Sequence, residues 1–176
     1  MPEESSTGER ARYRLPPAPI PEILDTPPPP ALLLSPDRRT LAWLGRAGLP
    51  PLSELAEPEL RLAGVRINPR TNGRSREGHL LSLSFGALGG GTPRPAATPP
   101  DVRISHPRWA PDSRHLAFLN TGEAGLELWV ADAATGQCRR LAGPGLNAAF
   151  GRPYSWMPDG ASLLVNLLPH DRGEEP

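Results

Sequence analysis

Lysine is absent from this sequence: all 19 basic residues are arginine, and 19 acidic residues balance them to a formal charge of zero. A phosphate backbone calls for a surplus of cations along one face, so a nucleic-acid partner is disfavoured. Cysteine occurs once, at Cys138, which excludes an internal disulfide. No apolar run approaches the length needed to span a bilayer. The first 14 residues are polar and charged where a secretory leader would need an apolar stretch. These absences lead to the expectation of a soluble, cytoplasmic protein with no membrane contact. Aromatic residues make up only 5% of the chain, whereas prolines number 25 and glycines 18. That balance predicts many short elements joined by turns and excludes an all-helical fold.

Residues 1–12 are charged and small, with nothing to bury, and are expected to be disordered. From Leu15 to Pro30 proline dominates, ending in four consecutive prolines at 27–30, and fixed φ with missing N–H groups rules out helix and central strand there. Ile20 to Leu24 offer apolar side chains that could pin this arm to a body. The arm could also serve an SH3-like partner as a polyproline ligand, but an extended leader into the fold is the plainer reading.

Beyond the arm one pattern recurs. Ser35-Pro36-Asp37 with Leu41-Ala42-Trp43-Leu44, Ala110-Pro111-Asp112 with Leu116-Ala117-Phe118-Leu119, and Met157-Pro158-Asp159 with Leu163-Leu164-Val165 each place an apolar strand five residues after a Pro-Asp pair. Proline presets φ for the first central position of a turn, and aspartate can accept the backbone N–H groups ahead of it, so each copy reads as a hairpin corner. Trp109 and Trp156 stand two residues before the proline in two copies, where they would pack against a neighbouring sheet.

Between the second and third copies Leu126 to Ala131 reads as a third strand and Gln137 to Leu141 as a fourth. The prolines at 111 and 158 are 47 residues apart, close to the roughly 40 to 50 residues of a propeller blade. The fold class expected is therefore all-β: an incomplete β-propeller of about two and a half four-stranded antiparallel blades. The first copy lies 75 residues ahead of the second, so its blade must hold an insertion. Leu80 to Phe85 and Thr92 to Thr98 supply its outer strands, leaving residues 49–78 as the excess. Within that excess, Leu60, Leu62, Val65 and Ile67 alternate in two phases around Gly64, as an extended segment with a bulge would, and 69–73 reads as a turn. The division expected is an arm at 1–30, a first blade at 31–98, a second at 99–143, and the first half of a third, truncated, at 144–176.

The Pro-Asp corners with their Leu-Trp-Val strand resemble the repeats of TolB and of the prolyl oligopeptidase family of serine peptidases. The stretch from Leu52 to Gly73, LSELAEPELRLAGVRINPRTNG, is similar to the N-terminal region of the glutamyl endopeptidase-like members, and the resemblance runs from about Tyr13 to Gly173. It implies a propeller that restricts entry of short or unfolded peptide substrates to an α/β-hydrolase domain bearing serine, aspartate and histidine, the serine in a G-x-S-x-G elbow. This chain has no G-x-S-x-G. No catalytic, cofactor-binding or metal-binding residue is therefore assigned, no cofactor is expected, and the chain alone is expected to be inactive. The alternative from another class is a free-standing TolB-like interaction module that completes its ring with another chain.

Individual candidates yield to plainer readings. His79, His106, His115 and His170 show neither H-E-x-x-H nor a cysteine partner and read as strand-end or surface residues. Cys138, on an outer strand, reads as inert. Asp37, Asp112 and Asp159 are turn formers before they are a carboxylate ring. Residues 86–91 form a glycine-rich hairpin loop without the lysine of a phosphate cradle. Arginines between 61 and 76 could meet acidic substrate side chains, but a solvated loop is the simpler account.

Overall fold

The computed structural model describes residues 15–169 together with Asp171 and Gly173; the disorder expected at 1–12, and His170, lie outside them. Thirteen strands and two short helices are present among these residues, and every strand pairing is antiparallel. Strands β1 (Ala31–Leu34), β2 (Thr40–Arg46), β6 (Leu80–Ala87) and β7 (Arg94–Pro95) pair in that order into a first sheet. A second sheet consists of β8 (Ile104–Trp109), β9 (His115–Gly122), β10 (Gly125–Asp132) and β11 (Cys138–Ala142). One residue pair, Leu80 opposite Ile104, joins the two. A third hairpin, β12 (Tyr154–Trp156) with β13 (Leu163–Val165), follows.

Each Pro-Asp corner builds the same turn. The third residue after the opening position donates its N–H back to that residue's carbonyl: Arg38 to Ser35 at 2.9 Å, Ser113 to Ala110 at 3.1 Å and Gly160 to Met157 at 3.0 Å. Those three residues are left-handed, with φ of 61°, 59° and 66°. For Arg38 and Ser113 this conformation costs about 1 kcal/mol, and the aspartate offsets it by binding the next N–H groups. Asp112 Oδ1 accepts from Arg114 (2.8 Å) and His115 (3.0 Å), and Asp159 Oδ1 from Ala161 (2.9 Å) and Ser162 (3.0 Å). Asp37 Oδ1 accepts from Arg39 and from the Ser35 hydroxyl, which itself takes the Thr40 N–H.

All three carboxyls are held below the ordinary aspartate value of 3.8. The Ser35 hydroxyl does most for Asp37 and the Ala161 and Ser162 N–H groups for Asp159; at Asp112 burial pushes upward but the His115 contacts outweigh it. Folded values below the unfolded one make a contribution complete above that unfolded value and lost as pH falls through the folded ones. The thermal midpoint should therefore hold from about pH 7 to 5 and fall below about pH 4. In Asp112→Asn the midpoint should be lower at neutral pH, and its deficit should shrink as acid removes the same interaction from the parent; melting curves across pH check both.

Side-chain alternation along β9 makes the second sheet two-faced. Leu116 and Phe118 join one core with Ala42, Leu44, Leu83 and Phe85 of the first sheet. Ala117 and Leu119 face the other way into a second core with Leu128, Leu146 and Tyr154, against which Leu163 and Val165 of the third hairpin pack. The same tryptophan position locks both seams. Trp109 donates its indole N–H to the Leu33 carbonyl (3.1 Å) and packs on Phe85, and Trp156 donates to the Arg108 carbonyl (3.2 Å). Tyr154 Oη is bound to the carbonyls of Ala117 and His106.

The arm and the insertion depart from expectation. Pro19–Leu24 forms a helix, α1, because Pro19 and Pro21 occupy its first turn, where the missing N–H groups have no intrahelical partner to lose. It buries no residue, and Ile20, Ile23 and Leu24 are exposed, so the arm is not pinned through them. In the insertion Leu52–Leu55 is a second short helix, α2. The expected bulge at Gly64 is a tight hairpin: β3 (Leu60–Leu62) turns through Ala63 and Gly64, at φ of 48° and 81°, into β4 (Val65–Asn68). Two consecutive positive φ values define a hairpin turn whose twist suits paired strands, which alternation alone does not distinguish from a bulge. β4 then pairs with β5 (Gly73–Arg74) after the turn expected at 69–73.

Candidate functional site: a charged cluster beneath the inserted segment

The insertion folds over one end of the sheets, and its sequence dictates how it is held there. Glutamates at 54, 57 and 59 precede arginines at 61, 66, 70, 74 and 76, so the segment carries its own counterions. Glu59, mostly buried, pairs with Arg66 (3.0 Å), Arg61 (3.1 Å) and Arg76 (3.4 Å). Burial pushes its carboxyl upward, yet the hydrogen bond from Arg61 and the charges of Arg66 and Arg76 leave it below the ordinary value. Arg70 binds Glu57 (3.1 Å) and reaches the carbonyls of Gly122 (3.1 Å) and Glu123 (2.9 Å) at the β9–β10 turn. Ala148 donates its N–H to the Asn72 carbonyl at 3.0 Å. The insertion is thereby strapped to the second sheet and to the loop leading into the third hairpin.

Glu54, carried on α2, binds Arg103 at 2.5 Å and lies 3.8 Å from His79 Nε2. Burial, with Arg103 adding its charge, holds His79 below the ordinary histidine value against the pull of Glu54 and Glu57, so its ring is neutral at physiological pH. These three side chains are part of the polar lining of a cleft of about 1120 Å³, with Arg46, Arg76, Glu77 and Asp101, and its apolar lining includes Leu55, Leu81, Pro99 and Val102. Glu77 lies 3.8 Å from His106. The Nδ1 atoms of His79 and His106 and the Ser75 hydroxyl are buried without a hydrogen-bond partner.

His79 stands directly before β6, as a strand-end residue would, but it is mostly buried, and His106 lies within β8, so neither is a surface residue. His115 sits in the corner turn, 2.6 Å from Asp112. The arginines from 61 to 76 that pair do so with the insertion's own glutamates, which leaves them poorly placed for an acidic substrate. Glu54, Glu57, Glu59 and Arg103 escaped sequence reasoning, although the run of glutamates directly before a run of arginines was a signal for such a cluster. Burial raises the Cys138 thiol to about 11, so it stays protonated and is a poor nucleophile at neutral pH. Among the described residues no group of three or more His, Cys, Asp or Glu side chains could hold a metal ion, and no helix is long and apolar enough to cross a membrane.

No protein-family model matches the chain. It is 41% identical over 177 residues to a protein named probable glutamyl endopeptidase, chloroplastic, from Arabidopsis thaliana, covering 93% of this chain and 18% of that protein. The same name is borne by a relative from Oryza sativa subsp. japonica, 39% identical over 178 residues, covering 93% of this chain and 19% of that one. The uncharacterized peptidase YuxL of Bacillus subtilis is 34% identical over 68 residues, 38% of this chain and 10% of that protein. Among solved structures the acylaminoacyl peptidase of Pyrococcus horikoshii aligns with a TM-score of 0.40 and 18% identity, over 72% of this chain and 15% of that one. The chain spans about a fifth of the length of its two plant relatives. Along nearly all of its own length the chain is similar to one segment of these proteins named probable glutamyl endopeptidase.

Proposed function

We propose that the chain is the N-terminal β-propeller part of a prolyl-oligopeptidase-like serine peptidase, the part that gates access of short peptides to hydrolase chemistry supplied by residues outside these 176. The observation that carries this reading is the repetition of one seam. Successive sheets stack through the same repeat positions and the same indole-to-carbonyl bond, as successive blades around an axis would. The identity to glutamyl endopeptidases supplies the chemistry that the complete protein would perform. A soluble, cytoplasmic location goes with this reading; the word chloroplastic belongs to the names of the two plant relatives.

The residues of the chain support a gating role better than a catalytic one. The charged cluster fixes the insertion across one end of the sheets, where it narrows the approach to the cleft. Its half-buried glutamates are paired by arginines, which ties the insertion to the sheets, while the Nδ1 atoms of His79 and His106 and the Ser75 hydroxyl stay unpaired.

Labelling with a serine-directed fluorophosphonate tests the assignment. The protein carrying this segment should become labelled on a serine outside residues 1–176, while the 176-residue chain alone should take up none. A labelled serine within 1–176 would overturn it. A protein carrying the segment with no reactive serine would favour the interaction-module alternative.

A further inference from the structure

Two buried polar atoms beside the insertion, the Ser75 hydroxyl and His79 Nδ1, have no hydrogen-bond partner among the protein's own atoms. The other ring nitrogen of His79, Nε2, stands 3.8 Å from Glu54, beyond hydrogen-bond range, so that carboxylate does not fix the ring. Folded chains rarely leave such groups unpaired, because each has given up its hydrogen bonds to bulk water.

Ser75 and His79 line one small cavity between the insertion and the sheets. Its volume is about 30 Å³, whereas a single water needs about 10 to 15 Å³. That admits one or two waters and is too small for a peptide segment. Ser105 of β8 and Thr121 of β9 stand in the same wall and both carry hydroxyls, so the cavity is polar on the side of the second sheet as well. Polar cavities of this size hold water, whereas apolar ones stay dry. Of the carboxylates that border it, Glu54, Glu57 and Glu59 each have an arginine already, so a neutral ligand fits better than a cation.

We propose that this cavity is a built site for one or two bound waters, which take the Ser75 hydroxyl and His79 Nδ1 as partners and tie the inserted segment to the sheets. Water suits both atoms because it donates and accepts: it serves the histidine nitrogen in either tautomer and the hydroxyl in either sense. The walls come from the insertion, β8, β9, β10 and the loop at Ala148, all well inside the chain.

A density map of the protein carrying this segment, at a resolution that shows ordered solvent, should contain water within about 3.2 Å of Ser75 Oγ and of His79 Nδ1. Amide hydrogen exchange in Ser75→Ala gives an independent answer through its sign. With water bound, the substitution removes a favourable interaction and loosens the insertion. Exchange of the Ala148 N–H, which binds the Asn72 carbonyl at 3.0 Å, should then speed up about two- to tenfold. With a dry cavity the same substitution removes the penalty of an orphan hydroxyl, and exchange slows. Unchanged exchange along the β9–β10 ladder verifies that the sheets are folded. An empty cavity, one filled by a side chain from outside residues 1–176, or Ala148 exchange that is slower or unchanged in Ser75→Ala would overturn the proposal. It rests on the packing of the insertion, so the outcome of serine labelling does not affect it.

Discussion

Replacing Phe118 by alanine is expected to lower the unfolding free energy by about 3 to 5 kcal/mol, a large share of the total for a domain of this size. Phe118 has no exposed surface, lies on the central strand of the second sheet and fills the seam with the first. Its loss leaves a cavity between two sheets whose ladders share one residue pair and which otherwise meet through side-chain packing and a few hydrogen bonds, such as Ala97 N–H to the Gly136 carbonyl at 2.8 Å. Trp43 provides the internal control. It occupies the same position relative to its corner proline but is only half-buried, its indole nitrogen beside Gly86 of its own sheet and without a hydrogen-bond partner, and its replacement by alanine should cost less, about 1 to 2 kcal/mol. Urea titrations followed by far-ultraviolet circular dichroism compare the two; equal costs would mean that the seam is not what stabilises Phe118.

Gly143→Ala should be nearly as damaging, by about 2 to 4 kcal/mol, for a different reason. Gly143 stands at φ of 119°, and a Cβ there would lie 2.7 Å from the Leu126 carbonyl oxygen and 2.8 Å from the Glu127 Cα. Both are backbone atoms of β10, which cannot move without breaking its pairing with β9 and β11. Gly64, also at positive φ but with open space around it, separates strain from collision: Gly64→Ala should cost only about 1 kcal/mol. Thermal melts of the two variants measure the difference.

What was legible in the sequence follows from how local each cause is. The corners could be read because proline, aspartate and a left-handed residue act within five positions, and the observed turns close through bonds among those same residues. The inner strands of the second sheet were readable as apolar runs, such as Leu116 to Leu119, because both of their faces are covered. The insertion was less so: alternation around Gly64 fits a bulge or a hairpin equally, and the choice rests on φ values that Ala63 does not advertise. Helix α1 was missed because prolines forbid a helix only beyond its first turn. The ion-pair cluster was hidden because Glu54 and Arg103, 49 residues apart, meet only once the chain has folded.

We propose that the three corners mark successive sheets radiating about one axis, in a ring that residues outside these 176 complete. A density map of the entire protein carrying this segment tests it most directly. The account predicts Pro36, Pro111 and Pro158 at like positions on successive sheets of a closed ring, with another sheet seated on Leu34, Leu41 and Trp43. A two-layer sandwich, or that same apolar face left bare to solvent in the intact protein, would contradict it.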